Sequence, residues 1–155
     1  MRGVIFKLSQ DIEEVGMFDP YDVPEYFVGS IASHLEEAEV DDEVMDFMEY
    51  LEDEGVPPNF IDYQNKMTFK DKEGFQKVYF ESKLKKLKES VEKLTLRDFS
   101  SSIIKAENIT KLVTDQFDYY IYINSELMTL DDFIRSLDMR KESSFYITGS
   151  VAYYY

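Results

Sequence analysis

A chain of 155 residues can bury roughly two-thirds of its unfolded surface in one domain, and its 44% hydrophobic content excludes a disordered acidic tail. Thirty-two aspartates and glutamates against 17 lysines and arginines give a formal charge of −15, which opposes direct binding to a nucleic-acid backbone or an anionic membrane and favours basic partners. With no cysteine, disulfides, thiolate catalysis and cysteine-ligated metal centres are excluded.

Gly3 to Leu8, with a β-branched and aromatic centre, predicts a short strand. Asp22-Val23-Pro24-Glu25 has the pattern of a capping box with proline in the first turn, and predicts a helix presenting Phe27, Val28, Ile31, Leu35 and Ala38 to the core. A second helix is expected directly after it. Val44, Phe47, Met48 and Leu51 recur at i, i+3, i+4 and i+7, and Gly55 followed by proline supplies a stop. The two helices are expected to pair through a turn near Val40 to Asp42.

The second of these helices carries the most unusual feature of the chain. Residues 1–62 contain 18 acids and 2 bases, whereas residues 63–155 contain 14 acids and 15 bases. Eleven acids fall within the nineteen positions from Glu36 to Glu54, with no lysine or arginine among them: Glu36, Glu37, Glu39, Asp41, Asp42, Glu43, Asp46, Glu49, Glu52, Asp53 and Glu54. Like charges three or four residues apart repel on a helix, and carboxylates near its C-terminus oppose the dipole. Stability alone would not select them, so these eleven are the candidate partner-binding residues. If the whole segment were helical it would span about 28 Å, with one carboxylate per about 2.6 Å, a density comparable with that of double-stranded DNA at about 1.7 Å per charge.

Further along, Met67 to Phe69 predicts a strand and Lys70 to Gly74 a turn. Phe75 to Leu94 predicts a helix with Phe80, Leu84, Leu87, Val91 and Leu94 on one stripe, and Lys83, Lys85, Lys86 and Lys88 on its flank. Thr95 and Thr129 open helices, the second presenting Leu130, Phe133, Ile134 and Leu137. Alternation over Phe117–Asn124 and Phe145–Tyr155 predicts strands sharing one sheet. The expected class is α+β, with an acidic helical N-terminal part (1–62) and a C-terminal part (63–155) holding a small antiparallel or mixed sheet and helices, the whole forming one compact domain.

Catalytic signatures are not found. His34, the single histidine, has no partner at metal-ligand spacing, the six glycines form no phosphate-binding loop, and Asp41, Asp42, Glu43 and Asp46 do not have the spacing of a calcium loop. No enzyme activity, cofactor or metal is expected. No apolar run is long enough for a signal peptide or membrane span, so the expected setting is the cytoplasm.

The segment Gly55-Val56-Pro57-Pro58-Asn59-Phe60-Ile61-Asp62-Tyr63-Gln64 resembles a stretch of the ArdA antirestriction family, in which a helix end is followed by Val-Pro and an aromatic-Ile-Asp-Tyr run. After it this chain reads Asn65-Lys66-Met67 where the family has Gly-Arg-Asp, and tryptophan is lacking. The resemblance implies an acidic DNA mimic from a mobile element, acting on a restriction enzyme as a dimer. The resulting expectation is a phage or mobile-element inhibitor that blocks the nucleic-acid site of a host defence nuclease, in antirestriction or anti-CRISPR fashion. The alternative is an acidic adaptor or assembly protein for a basic protein. Homodimerisation is left open.

Overall fold

The computed structural model describes residues 1–12, 18–56, 60–69, 72–101, 109–110, 113, 118–138 and 142–155. It is an α+β protein built on one mixed sheet. Its elements are β1 (Arg2–Ser9), β2 (His34–Glu37), α1 (Val40–Asp53), β3 (Lys66–Phe69), α2 (Lys72–Glu92), α3 (Leu96–Ser101), β4 (Tyr119–Ile123), β5 (Glu126–Thr129), α4 (Leu130–Ser136) and β6 (Ser143–Tyr154). The strand order is β2-β6-β1-β4-β5, and β3 also pairs with β6. β1 runs parallel to β4 and antiparallel to β6, with its register shifting between Lys7 and Leu8. Along the other edge of β6, β2 covers Val151–Tyr154 and β3 covers Ser143–Tyr146. Residues 1–62 and 63–155, so different in charge, thus share one sheet.

Both faces of that sheet are covered, as the period-two alternation of its strands requires. On one face Val4, Phe6, Leu8, Ile121, Phe145 and Ile147 pack with Val44, Phe47 and Leu51 of α1, Tyr79 of α2, and Phe133 and Ile134 of α4. On the other, Ile5, Tyr120, Val151 and Tyr153 pack beneath Phe18, Val23, Phe27 and Ala32. Phe27 meets Tyr120 and Tyr153 edge-on, with ring centroids 5.0 and 5.2 Å apart. Gly149 admits the loop to this second face: a Cβ there would lie 2.4 Å from Phe18 Cβ. Gly149→Ala is expected to cost about 1–3 kcal/mol by overpacking, read as a lower urea midpoint.

Several expectations are corrected. The helix expected from residue 22 to Ala38 does not form. Short 3-10 turns at Pro20–Asp22 and Glu25–Phe27 lead instead into β2, which passes directly to α1, so there is no helix pair. Gly29 takes a left-handed φ of 90° and donates its N–H to the Ala32 carbonyl at 2.7 Å, breaking any helix there. The backbone of β6 then supplies the pairing that His34–Glu37 would otherwise find within a helix. The capping box lies three residues earlier than expected: Asp19 accepts from the Tyr21 N–H at 2.7 Å and Asp22 from the Asp19 N–H at 3.0 Å.

The sheet reaches into the N-terminal part through β1 and β2. α2 starts at Lys72, within the expected turn; Lys70 and Asp71 lie outside the described residues, as do Pro57–Asn59 and Phe117. β5 was not expected at all. Asn124 and Ser125, both at positive φ, form the two-residue turn that folds it back on β4.

Candidate functional site

α1 forms where the sequence places it because its apolar stripe has a sheet to cover. Val44, Phe47 and Leu51 are buried, and Phe47 lies 5.0 Å from the Phe6 ring and 4.8 Å from Tyr119. Its acids then divide by position around the helix. Asp41, Asp42, Asp46, Glu49, Glu52 and Asp53 are exposed. At 100° per residue they lie within roughly 140° of arc on the side opposite the stripe. From Asp41 to Asp53 the axis advances about 18 Å, or roughly 3.6 Å per carboxylate, against about 3.4 Å per charge along a single DNA strand. The only described side-chain bond to this ridge is from Asn65 Nδ2 to Asp41 Oδ1, at 3.1 Å. Met45, 67% exposed, projects from the middle of it.

The other five candidates do not join that ridge. Glu43 turns inward, where its carboxylate accepts from both terminal nitrogens of Arg2 and ties α1 to β1. That bond raises the Arg2 guanidinium above its ordinary value. Glu54 is also buried and is paired with Lys86 of α2. Glu39 is exposed at the helix start, without a side-chain capping bond. Glu36 and Glu37 lie on β2, where successive side chains point to opposite faces; Glu36 accepts from the Tyr154 hydroxyl at 3.0 Å. Sequence periodicity marks Glu43 and Glu54 as neighbours of the stripe, but nothing in it identifies Arg2 and Lys86 as their distant counter-charges.

His34 lies on this edge strand rather than on a helix, its ring stacked on Tyr154 at 4.5 Å and 3.6 Å from Glu36 Oε1. Ser33 Oγ is 3.1 Å from His34 Nδ1. The Tyr154 carbonyl, 2.9 Å from Ser33 Oγ, competes with the imidazole for its one proton. No group of three potential metal ligands occurs among the described residues. A cleft of about 500 Å³ opens at the carboxyl ends of the parallel strands β1 and β4, lined by Lys7, Ser9, Asp11, Asp22, Asn124 and Ser125 among others. It lies at the opposite end of β1 from Arg2 and holds neither histidine nor any of the eleven acids. Among the described residues, no helix is long and apolar enough to cross a membrane.

Behind the ridge, burial first and then the carboxylates of Asp46, Asp118 and Glu43 push the Tyr119 phenol well above its ordinary value. A pKa raised in the folded state contributes stability fully present below the unfolded value of about 10, and lost as pH rises beyond it. The urea midpoint is therefore expected to fall above about pH 10, and Tyr119→Phe to reduce that fall. A Phe variant with the parent's alkaline profile would remove Tyr119 from this account.

With the fold and this ridge described, the comparisons with known proteins add no relative: no family model, curated protein or solved structure matches the chain significantly.

Proposed function

We propose that the protein is a stoichiometric, non-enzymatic inhibitor that presents α1 as a counterfeit nucleic-acid strand to the basic site of a host defence nuclease. In this reading it is carried by a phage or mobile element and acts in the host cytoplasm, by antirestriction or anti-CRISPR blockade. The observation that carries the reading is the outward face of α1. Its six exposed carboxylates are spaced along the axis much as phosphates are along one strand, while the inward acids Glu43 and Glu54 have their own counter-cations. A fixed ridge of one sign steers association with a basic groove and excludes the polyanion that normally fills it. The local resemblance of residues 55–64 to ArdA proteins points to the same class of role.

Met45 favours a second reading. A pure polyanion mimic needs no exposed apolar side chain at its centre, whereas an adaptor docking on a basic-rimmed apolar pocket does. Competition separates the two. Cells expressing the protein are challenged with a restricted or CRISPR-targeted phage, and the nuclease retained on the immobilised protein is then exposed to excess DNA or RNA oligonucleotide. Mimicry predicts rescued plaque formation and release of the nuclease by oligonucleotide. Retention of the partner under saturating oligonucleotide would favour the adaptor, and unaltered plaque formation across both types of defence system would remove the inhibitor reading.

A further inference from the structure

α2 is only half accounted for by the core. At 100° per residue, Tyr79, Lys83, Lys86 and Ser90 lie within about 60° of arc. They are used internally: Tyr79 is fully buried, Lys83 bonds Asp131 at 2.7 Å, Lys86 pairs with Glu54, and Ser90 Oγ donates to the Lys86 carbonyl at 2.8 Å. A second stripe, centred about 90° away, comprises Leu84, Leu87, Val91 and Leu94, at spacings of three, four and three. Leu84 is 49% exposed and Val91 50%. Apolar side chains at coiled-coil spacing, half in water on a helix already anchored along another side, form a seam that is open among the described residues.

We propose that this seam is a homodimer interface in which α2 of one copy packs antiparallel against α2 of a second. The charges beside the stripe select both occupant and direction. In a parallel pair the flanking positions set Lys88 against Lys83 of the other copy, which Asp131 already neutralises, so that pair supplies no attraction. In an antiparallel pair with Leu84 opposite Leu87, Glu81 opposes Lys88, while Phe80 stays packed against its own core beneath Arg135. The two-fold axis repeats the contacts between copies, giving two opposite-charge pairs outside the apolar layers. The stripe therefore complements itself, without needing a different partner. Its short length makes the association concentration-dependent rather than obligate. None of the stripe's residues belongs to α1, so the dimer is tested independently of the inhibitor reading.

The test is sedimentation equilibrium of the full-length chain across a dilution series. The parent is expected to move from 18.3 kDa toward twice that mass with rising concentration. Glu81→Lys, which sets lysines against each other at both flanks, is expected to raise the dimer dissociation constant about tenfold. Adding Lys88→Glu to it should restore the parent constant, because both flanks are attractive again with charges reversed. Leu84→Glu should leave only monomer, with an unchanged urea midpoint showing an intact fold. A parent that stays monomeric throughout would overturn the proposal. So would a double variant no tighter than Glu81→Lys, or a Leu84→Glu chain whose midpoint falls in a monomeric parent, which would assign the stripe to contacts within one chain.

Discussion

Converting Asp46, Glu49, Glu52 and Asp53 to their amides is expected to make the protein more stable and less active at once. Asp46–Glu49 and Glu49–Glu52 are like-charge pairs three residues apart, and Glu49–Asp53 a pair four apart, each costing about 0.2–0.5 kcal/mol on a helix. The last turn of α1 contains no base, so Glu52 and Asp53 also face the negative end of the dipole, at about 0.3–1 kcal/mol each when exposed. Relieving these terms should raise the unfolding free energy by about 1–2 kcal/mol, read by urea denaturation. Affinity for a basic partner should fall by about tenfold or more, and its dependence on salt should flatten, because fewer charges steer the encounter. Opposite signs in the two measurements mark residues kept for function at a cost in stability. Lower stability with affinity intact would mean that the ridge only solvates the helix. Asp41 and Asp42 are left out of the variant because, at the positive end of the dipole, they stabilise α1 and would blur the result.

Asp131→Leu is expected to be the most damaging single change. Asp131 is buried at the start of α4, where it accepts from the Tyr79 hydroxyl at 2.9 Å and from Lys83 at 2.7 Å. Tyr79 in turn lies 3.2 Å from the Tyr50 hydroxyl, so the network joins α4, α2 and α1. Removing the carboxylate strands a lysine only 12% exposed, which should cost about 3–5 kcal/mol. Adding Lys83→Met should return most of that loss, since two apolar side chains of similar volume remove the charge together with its partner. A urea series on the single and double variants measures both. If the double variant is no more stable than Asp131→Leu, the loss comes from the shape of the site rather than from the stranded charge. Together with Glu54–Lys86, this network commits two of the four flank lysines of α2 to acids of α4 and of the α1 end.

Elements whose pattern matched their surroundings could be read in advance. Val44, Phe47 and Leu51 mark one face of α1 because only a helix brings them together, and Thr129 caps α4 at Asp132 as its spacing implied. The strands of Phe6 and Ile147 alternate because each has one face on α1 and the other on the loop side. Residues 24–38 were misread because Phe27, Ile31 and Leu35 satisfy a helical spacing as well as they satisfy a turn followed by a strand. What separates the two is β6, more than a hundred residues away, whose open edge from Val151 to Tyr154 takes up His34–Glu37. β5 was missed for a related reason, since Glu126–Thr129 has little character of its own and pairs only because Asn124 and Ser125 accept the left-handed turn.

The same division runs through the candidate site. That an acidic helix ends near Gly55, and that its apolar stripe must face a core, follows from local spacing and charge. Which acids remain in solvent does not, because Arg2 and Lys86 reach Glu43 and Glu54 across 41 and 32 residues of chain. Long-range pairing of this kind depends on where the sheet brings β1 and where α2 lies against α1. Local pattern carries no record of either, and only the packed molecule separates the six carboxylates of the ridge from the five that point elsewhere.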